Sequence, residues 1–311
     1  MRRYLLPATV DEALALLAAY DGRARIIAGG TDILLDLHKG KLRTECLVDI
    51  TRIPELGQID VSDGWVTIGA AVPFSALRAH PYLAGHVHAL VDAAASVGAP
   101  AIQTSATWVG NLVQAMPAAD GAIIAAALDA DVRVLTLGGT APQGDAPQPH
   151  ENAARRHGSA AQWQPVASLY AGPGRSTIDS TQQLVTHIRF PLPQHRWGTG
   201  WRRMGRRPSL VLPTLNCAVK IVLAGALIET AAIAMGPVGP CPIRATGAEA
   251  FLAGRQPGQE TFSEAAQLAL CDADPRSSAL RASRGYRLAV LPVLVEEALT
   301  SAAHRAAITE G

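Results

Sequence analysis

The sequence predicts an α+β fold in three consecutive units, residues 1–57, 58–194 and 195–311. Three observations point there. The first fifty residues alternate helix-period and short apolar segments, a hairpin pattern opens the second unit, and two long alternating segments after Trp201 give way to helical periodicity. The chain has 311 residues, enough for two or three cores, and its 49% hydrophobic against 17% charged residues mark it as globular.

Residues 10–20 place Ala13, Leu14, Leu16, Leu17 and Ala18 at helical spacing, with Thr9 or Asp11 as cap and Gly22 as stop. This amphipathic helix feeds a strand at 24–28. A short helix at 33–37 and a strand at 45–50 complete the first unit. Residues 58–61 and 65–69, around Ser62-Asp63-Gly64, read as a β-hairpin. Helices are expected at 74–80 and 86–97, the second stopped by Gly98. A further helix starts at Pro117-Ala118-Ala119-Asp120, with proline in its first turn and the carboxylate near its positive end. Strands follow at 131–137 and 183–190. Between them, residues 139–162 are rich in proline, histidine and arginine with little to bury, and read as a mobile surface excursion. The last unit holds strands at 215–223 and 227–235, then helices at 242–251, 261–271 and 283–306.

Two segments stand out for chemistry. In Ala28-Gly29-Gly30-Thr31-Asp32 an apolar run stops at two glycines before a new run begins. Glycines there admit positive φ and close approach of a ligand, and consecutive N–H groups can hold an anion such as a diphosphate. The same segment, taken alone, also fits an ordinary turn capped by Thr31 or Asp32. Residues 101–120 are small and polar where their neighbours are apolar, which suits a ligand or an interface. The arginines at 202, 203, 206 and 207 fit either a solvated face or a ligand or partner contact.

Lys+Arg 27 against Asp+Glu 26 provides no general attraction for nucleic acid or anionic membrane. No apolar run is long enough to span a bilayer, and the basic N-terminus breaks at Pro7 too early for a signal peptide. Cys46, Cys217, Cys241 and Cys271 lack the close pairs of metal or iron–sulfur sites, so no metal is assigned, and buried thiols in a cytoplasmic protein are expected.

With both glycine-bearing segments in view, the chain resembles the FAD-binding medium subunit of the molybdenum hydroxylases, the family of xanthine dehydrogenase and carbon monoxide dehydrogenase. The resemblance rests on Ala28-Gly29-Gly30-Thr31-Asp32, Leu47-Val48-Asp49-Ile50, Ala106-Thr107-Trp108-Val109-Gly110-Asn111, Pro117-Ala118-Ala119-Asp120 and Gly172-Pro173-Gly174 in order. In the third unit it adds Gly236-Pro237-Val238 with Pro242-Ile243-Arg244-Ala245, Phe251-Leu252-Ala253-Gly254 and Arg284-Gly285-Tyr286-Arg287. It implies a two-subdomain FAD-binding fold of the vanillyl-alcohol-oxidase type, followed by a C-terminal α+β domain with a small antiparallel sheet.

By the same resemblance, Ala28, Gly29, Gly30, Thr31, Asp32, Thr107, Gly110 and Asn111 bind the FAD diphosphate, and Asp120 approaches the flavin's hydroxyl-bearing chain. Trp108 and Val109 depart from the usual pattern, which has glycine before the Gly-Asn pair. The Arg-Asn pair common near Gln103-Thr104 is absent. The implied role is electron transfer from a [2Fe-2S] small subunit, fed by a molybdopterin large subunit, in a heterotrimer or its dimer. No catalytic residue is assigned within this chain. The rivals are a self-contained flavin oxidase and a flavin-free scaffold. Residues 139–162 are expected to be dispensable for flavin binding.

Overall fold

Thr9 starts the first helix: its hydroxyl accepts from the Glu12 N–H at 3.1 Å, and Asp11 and Glu12 occupy the positive first turn. In the computed structural model, which describes residues 3–137, 160–207, 209–279 and 281–308, this helix is α1 (Val10–Tyr20). It buries Val10, Ala13, Leu14 and Leu17 against a parallel three-stranded sheet. The strand order is β1 (Arg3–Leu5), β3 (Cys46–Asp49), β2 (Ala24–Ile27). β1 has no sequence signal, because three residues before a proline carry no readable period. Beyond the Gly29-Gly30 turn, α2 (Ile33–His38) buries none of its residues.

The second sheet is antiparallel, in the order β4 (Ile59–Ser62), β5 (Trp65–Gly69), β10 (Gln183–Pro191), β6 (Asp131–Thr136), β7 (Ala160–Pro165). The β4–β5 hairpin turns through Asp63 and Gly64, both at positive φ (51° and 78°), the geometry that matches strand twist. Helices α3 (Phe74–Ala79), α4 (Pro81–His86), α5 (His88–Ser96), α6 (Pro100–Gln103), α7 (Trp108–Val113) and α8 (Asp120–Ala127) follow β5, and β8 (Tyr170–Gly172) with β9 (Arg175–Ser176) forms a small hairpin.

Three sequence expectations are corrected in this unit. The helix expected at 86–97 breaks at Val87, which leaves helical φ,ψ and separates α4 from α5. The helix expected from Pro117 begins at Asp120, with the proline outside it. The segment expected as a surface excursion, 139–162, includes the start of a strand: residues 139–159 lie outside the described residues, but 160–164 belong to β7, paired with β6. An edge strand needs only one half-covered face, so its glutamines conceal it from a burial-based reading.

The third sheet runs β11 (Arg196–Met204), β12 (Leu215–Ala224), β13 (Leu227–Gly236), β14 (Ile243–Arg244), all antiparallel. Here too the sequence reading needs correction, since 242–251 opens with β14 before turning into α9 (Thr246–Leu252). Helices α9 and α11 (Arg284–Ile308) cover the sheet, and α10 (Gln259–Leu268) packs against both of them. β12 is buried on both faces from Leu215 to Leu223 because alternate residues serve two cores. Ala218 and Val222 join the large cluster that includes Leu14, Ile68, Trp108 and Ile123. Cys217, Val219 and Ile221 join a second cluster with Leu294, Val295 and Leu299 of α11.

The third unit is bound to the second by specific contacts as well as by the shared core. Ala89 N–H donates to Thr199 Oγ1 at 3.0 Å, Trp201 Nε1 donates to Ser96 Oγ at 3.2 Å, and Arg305 reaches Asp92 at 3.3 Å. α11 lies so close to β11 that a Cβ on Gly200 would sit 2.0 Å from the Ala298 carbonyl oxygen, and one on Gly198 would sit 2.3 Å from that of Ala302.

Gly200→Ala is therefore expected to cost about 3 kcal/mol or more of unfolding free energy, because helix and strand must separate. Gly247→Ala, where an added Cβ meets nothing within 4 Å inside α9, is the control and should be neutral or mildly stabilising. Urea unfolding of the two variants checks this, and equal stabilities would overturn the packing argument.

Candidate functional site

The β2 strand ends at Ile27, and the chain then turns through Gly29 and Gly30 before α2 begins. Gly30 has φ of 71°, a left-handed conformation that glycine adopts without penalty. The backbone N–H groups of Gly29, Gly30, Thr31 and Asp32 donate to no backbone carbonyl among the described residues. They border a cavity of about 540 Å³, within the range of small-molecule sites.

The second glycine-bearing segment forms the opposite wall. Thr107 caps α7, its Oγ1 accepting from Gly110 N–H at 3.1 Å, and Val109, Gly110 and Asn111 line the same cavity. Val109 stands where the usual pattern has glycine, and Trp108, before it, turns away from the cavity into the core. It is fully buried, donates from Nε1 to the Gly121 carbonyl at 2.8 Å and meets Phe190 edge-on. The departure at 108 thus anchors the turn, while Val109 gives the cavity an apolar wall. Asn111 Oδ1 is buried without a hydrogen-bond partner among the described residues.

The two turns meet backbone to backbone. A Cβ on Gly29 would lie 1.8 Å from the Ser105 carbonyl oxygen and 2.9 Å from Ala106 Cα. The sequence alone attributes the glycine requirement to a ligand or to the turn itself; at Gly29 the neighbouring chain segment imposes it. At Gly30 an added Cβ would meet only the side-chain ends of Leu34 and Ile27, at 3.0 and 3.2 Å.

Ala28, Gly29, Gly30, Thr31, Asp32, Thr107, Gly110 and Asn111 all line this cavity, and Asp120 does not. Asp120 is 6% exposed at the start of α8, held by Arg203 Nε at 3.2 and 3.3 Å and by Asn216 Nδ2 at 2.7 Å. Burial pushes its carboxyl up to about 6, with Arg203 and Asn216 opposing the rise. Arg203 also donates to the Val211 carbonyl, and Arg202 pairs with Glu297 at 2.9 Å. These two members of the arginine cluster therefore have partners within the chain.

Sequence reasoning missed Arg25, Asp36, Ser176 and Ser180, which also line the cavity. Arg25 donates to Ser180 Oγ at 3.2 Å across 155 residues. The turn at Gly172-Pro173-Gly174 is the available signal for the last two, since it immediately precedes them.

The cavity suits a diphosphate: unpaired N–H groups from a glycine turn border it, a capped turn forms the other wall, and Arg25 adds a positive charge. Gly29→Ala should lower stability and cofactor content together, whereas Gly30→Ala should cost about 1–2 kcal/mol for its left-handed backbone and remain folded. Circular dichroism melts with bound-cofactor assay check this, and a fully stable Gly29→Ala would overturn the backbone contact.

Asp120 also makes a pH-dependent contribution with a definite sign. A carboxyl whose folded pKa is raised favours folding most below its unfolded value of 3.8, and that advantage is lost as pH climbs through about 6. Relative to Asp120→Asn, the wild type should lose about 2–3 kcal/mol of stability between pH 4 and 7 and then level off. Parallel urea titrations across that range read the difference, and a flat difference would refute it.

Residues 1–142 match the FAD binding domain in molybdopterin dehydrogenase, and residues 201–302 match the CO dehydrogenase flavoprotein C-terminal domain. The chain is 28% identical over 300 residues to a xanthine dehydrogenase FAD-binding subunit of Escherichia coli O157:H7, covering 96% of this chain and 95% of that one. It is also 28% identical over 305 residues to the carbon monoxide dehydrogenase medium chain of Hydrogenophaga pseudoflava, covering 98% of each. A solved structure of the carbon monoxide dehydrogenase from that organism, lacking the Mo-pyranopterin moiety, superposes with a TM-score of 0.82 at 26% identity over 98% of both chains. With an FAD-binding domain, a matching C-terminal domain and relatives that agree over nearly the whole length, the chain belongs to the family of FAD-binding medium subunits of the molybdenum hydroxylases.

Proposed function

We propose that this chain is the electron-transfer subunit of a molybdenum hydroxylase complex, a heterotrimer or its dimer, in the cytoplasm. When bound, FAD supplies the chemistry of taking electrons from a [2Fe-2S] subunit and releasing them to an external acceptor. The molybdopterin subunit is the place of substrate oxidation in this reading. The single observation that carries it is the cavity between the two glycine-bearing turns, with four backbone N–H groups left for an anion.

In this reading the Gly29 to Asp32 N–H groups bind the diphosphate, assisted by the Thr107 to Asn111 turn and by Arg25. Ile27, Ile102, Val109 and Val185 supply the apolar surface that keeps water from the cofactor. Asp120 acts indirectly, by fixing Arg203 and Asn216 at the junction of α8 with the third sheet. Residues 1–57 and 58–194 are the two halves of a vanillyl-alcohol-oxidase-type FAD fold, and 195–311 is the C-terminal flavoprotein domain.

Heat release of the cofactor from the purified chain, followed by chromatography, should yield FAD and not FMN, because only FAD carries the diphosphate. Purification from the native host should recover the chain together with iron–sulfur and molybdopterin subunits. Expressed alone, the chain should retain flavin and oxidise no substrate of the complex. Oxidation of a small heterocycle at an ordinary enzymatic rate by the chain alone would favour a self-contained oxidase, and a colourless, flavin-free chain would favour a scaffold.

A further inference from the structure

Two carboxylates, Asp32 and Asp36, line the cavity together with the Gly29 to Asp32 turn, whose N–H groups are the diphosphate donors in the proposed reading. Such charges repel phosphates, and Arg25 is the one lysine or arginine among the lining residues. Neither carboxylate forms a salt bridge among the described residues. They lie one turn apart on the same side of α2, with Asp36 N–H bonded to the Asp32 carbonyl at 3.0 Å. Their nearness registers at Asp32, whose carboxyl is raised by burial and then by the charge of Asp36.

An ionised carboxylate is an acceptor only, so its natural partner is a donor that carries no negative charge. A nucleotide offers such donors next to its diphosphate, on the sugar hydroxyls. One helical turn, about 5.4 Å, is comparable with the reach from a phosphate through the 5′ methylene to the far edge of its ribose. The same chemistry operates where an acidic residue beside a glycine-rich phosphate turn accepts from a ribose hydroxyl.

We propose that Asp36 is a specificity-determining residue that accepts a hydrogen bond from a ribose hydroxyl of the cofactor's adenosine half. This rests on the FAD reading of the cavity. Asp36 carries the assignment because it is half-buried at the cavity wall with no salt-bridge partner among the described residues, whereas Asp32, equally without a salt bridge, is the more exposed of the two. The adenosine half therefore lies over α2, and the flavin half extends past the opposite wall formed by Val109 and Val113.

The test uses the full chain stripped of flavin and titrated calorimetrically with ADP, 2′-deoxy-ADP and FMN. The wild type should bind ADP about tenfold more tightly than 2′-deoxy-ADP, the effect of one hydrogen bond to a charged acceptor. Asp36→Ala should weaken ADP about ten- to hundredfold and abolish the preference over 2′-deoxy-ADP. Asp36→Asn, which keeps an acceptor oxygen, should retain part of it. None of α2 is buried, so both variants are expected to fold, and a circular dichroism melt verifies this. Unchanged ADP affinity and preference in a folded Asp36→Ala would overturn the proposal. A loss confined to FMN would overturn the adenosine assignment in favour of the flavin's own hydroxyl chain. If the wild type binds FAD but Asp36 variants match it, only this inference fails; if the wild type binds neither FAD nor ADP, the reading of the cavity fails with it.

Discussion

The contact between Gly29 and the Ser105–Ala106 backbone is the constraint on which the rest of the site depends. Where the chain passes with no room for a Cβ, two turns far apart in sequence become opposite walls of one cavity. The contact also explains why the first turn leaves its N–H groups without backbone partners. Its position is set by packing against the second turn, so the donors need not be used internally to hold it. Trp108 serves the same end from the other side, since its buried indole and its bond to Gly121 fix the second turn against the core.

A second level of order comes from the way the last sheet closes over α8. β12 contributes to both hydrophobic clusters, so the FAD-binding region and the C-terminal region share a buried strand. Polar groups occupy the two ends of α8. At its start, Asp120, Arg203 and Asn216 form a buried cluster. Beyond its end, Asp129 binds Lys220 at 2.6 Å and Arg244 at 2.5 Å, and Arg244 also holds Glu249 at 2.6 Å. Burial alone would raise the Asp129 carboxyl, but Lys220 and Arg244 hold it below the ordinary carboxylate range. The two ends thus differ: at Asp120 desolvation dominates, and at the more exposed Asp129 the two cations do.

Much of this was legible in the sequence where a local signal existed. The Thr9 cap, the period of α1, the Asp63-Gly64 turn and the alternation of β12 and β13 each depend on residues within a few positions of one another. The helix break at Val87, the strand β7 and the strand β14 were not legible. Each is decided by a neighbour across a sheet or core, with no pattern of its own to display.

The sequence by itself determined that two glycine-bearing turns exist, which residues form them, and that the chain resembles a flavoprotein family. Backbone conformational freedom is a property of the residue, so it can be read from the residue. Only the tertiary structure decided that Gly29 yields to Ser105, that Asp120 faces Arg203 instead of the cavity, and that Arg25, Asp36 and Ser180 stand around the same space. Those outcomes depend on which distant segments meet, and contacts across more than a hundred residues, such as Arg25 with Ser180, leave no periodic trace along the chain.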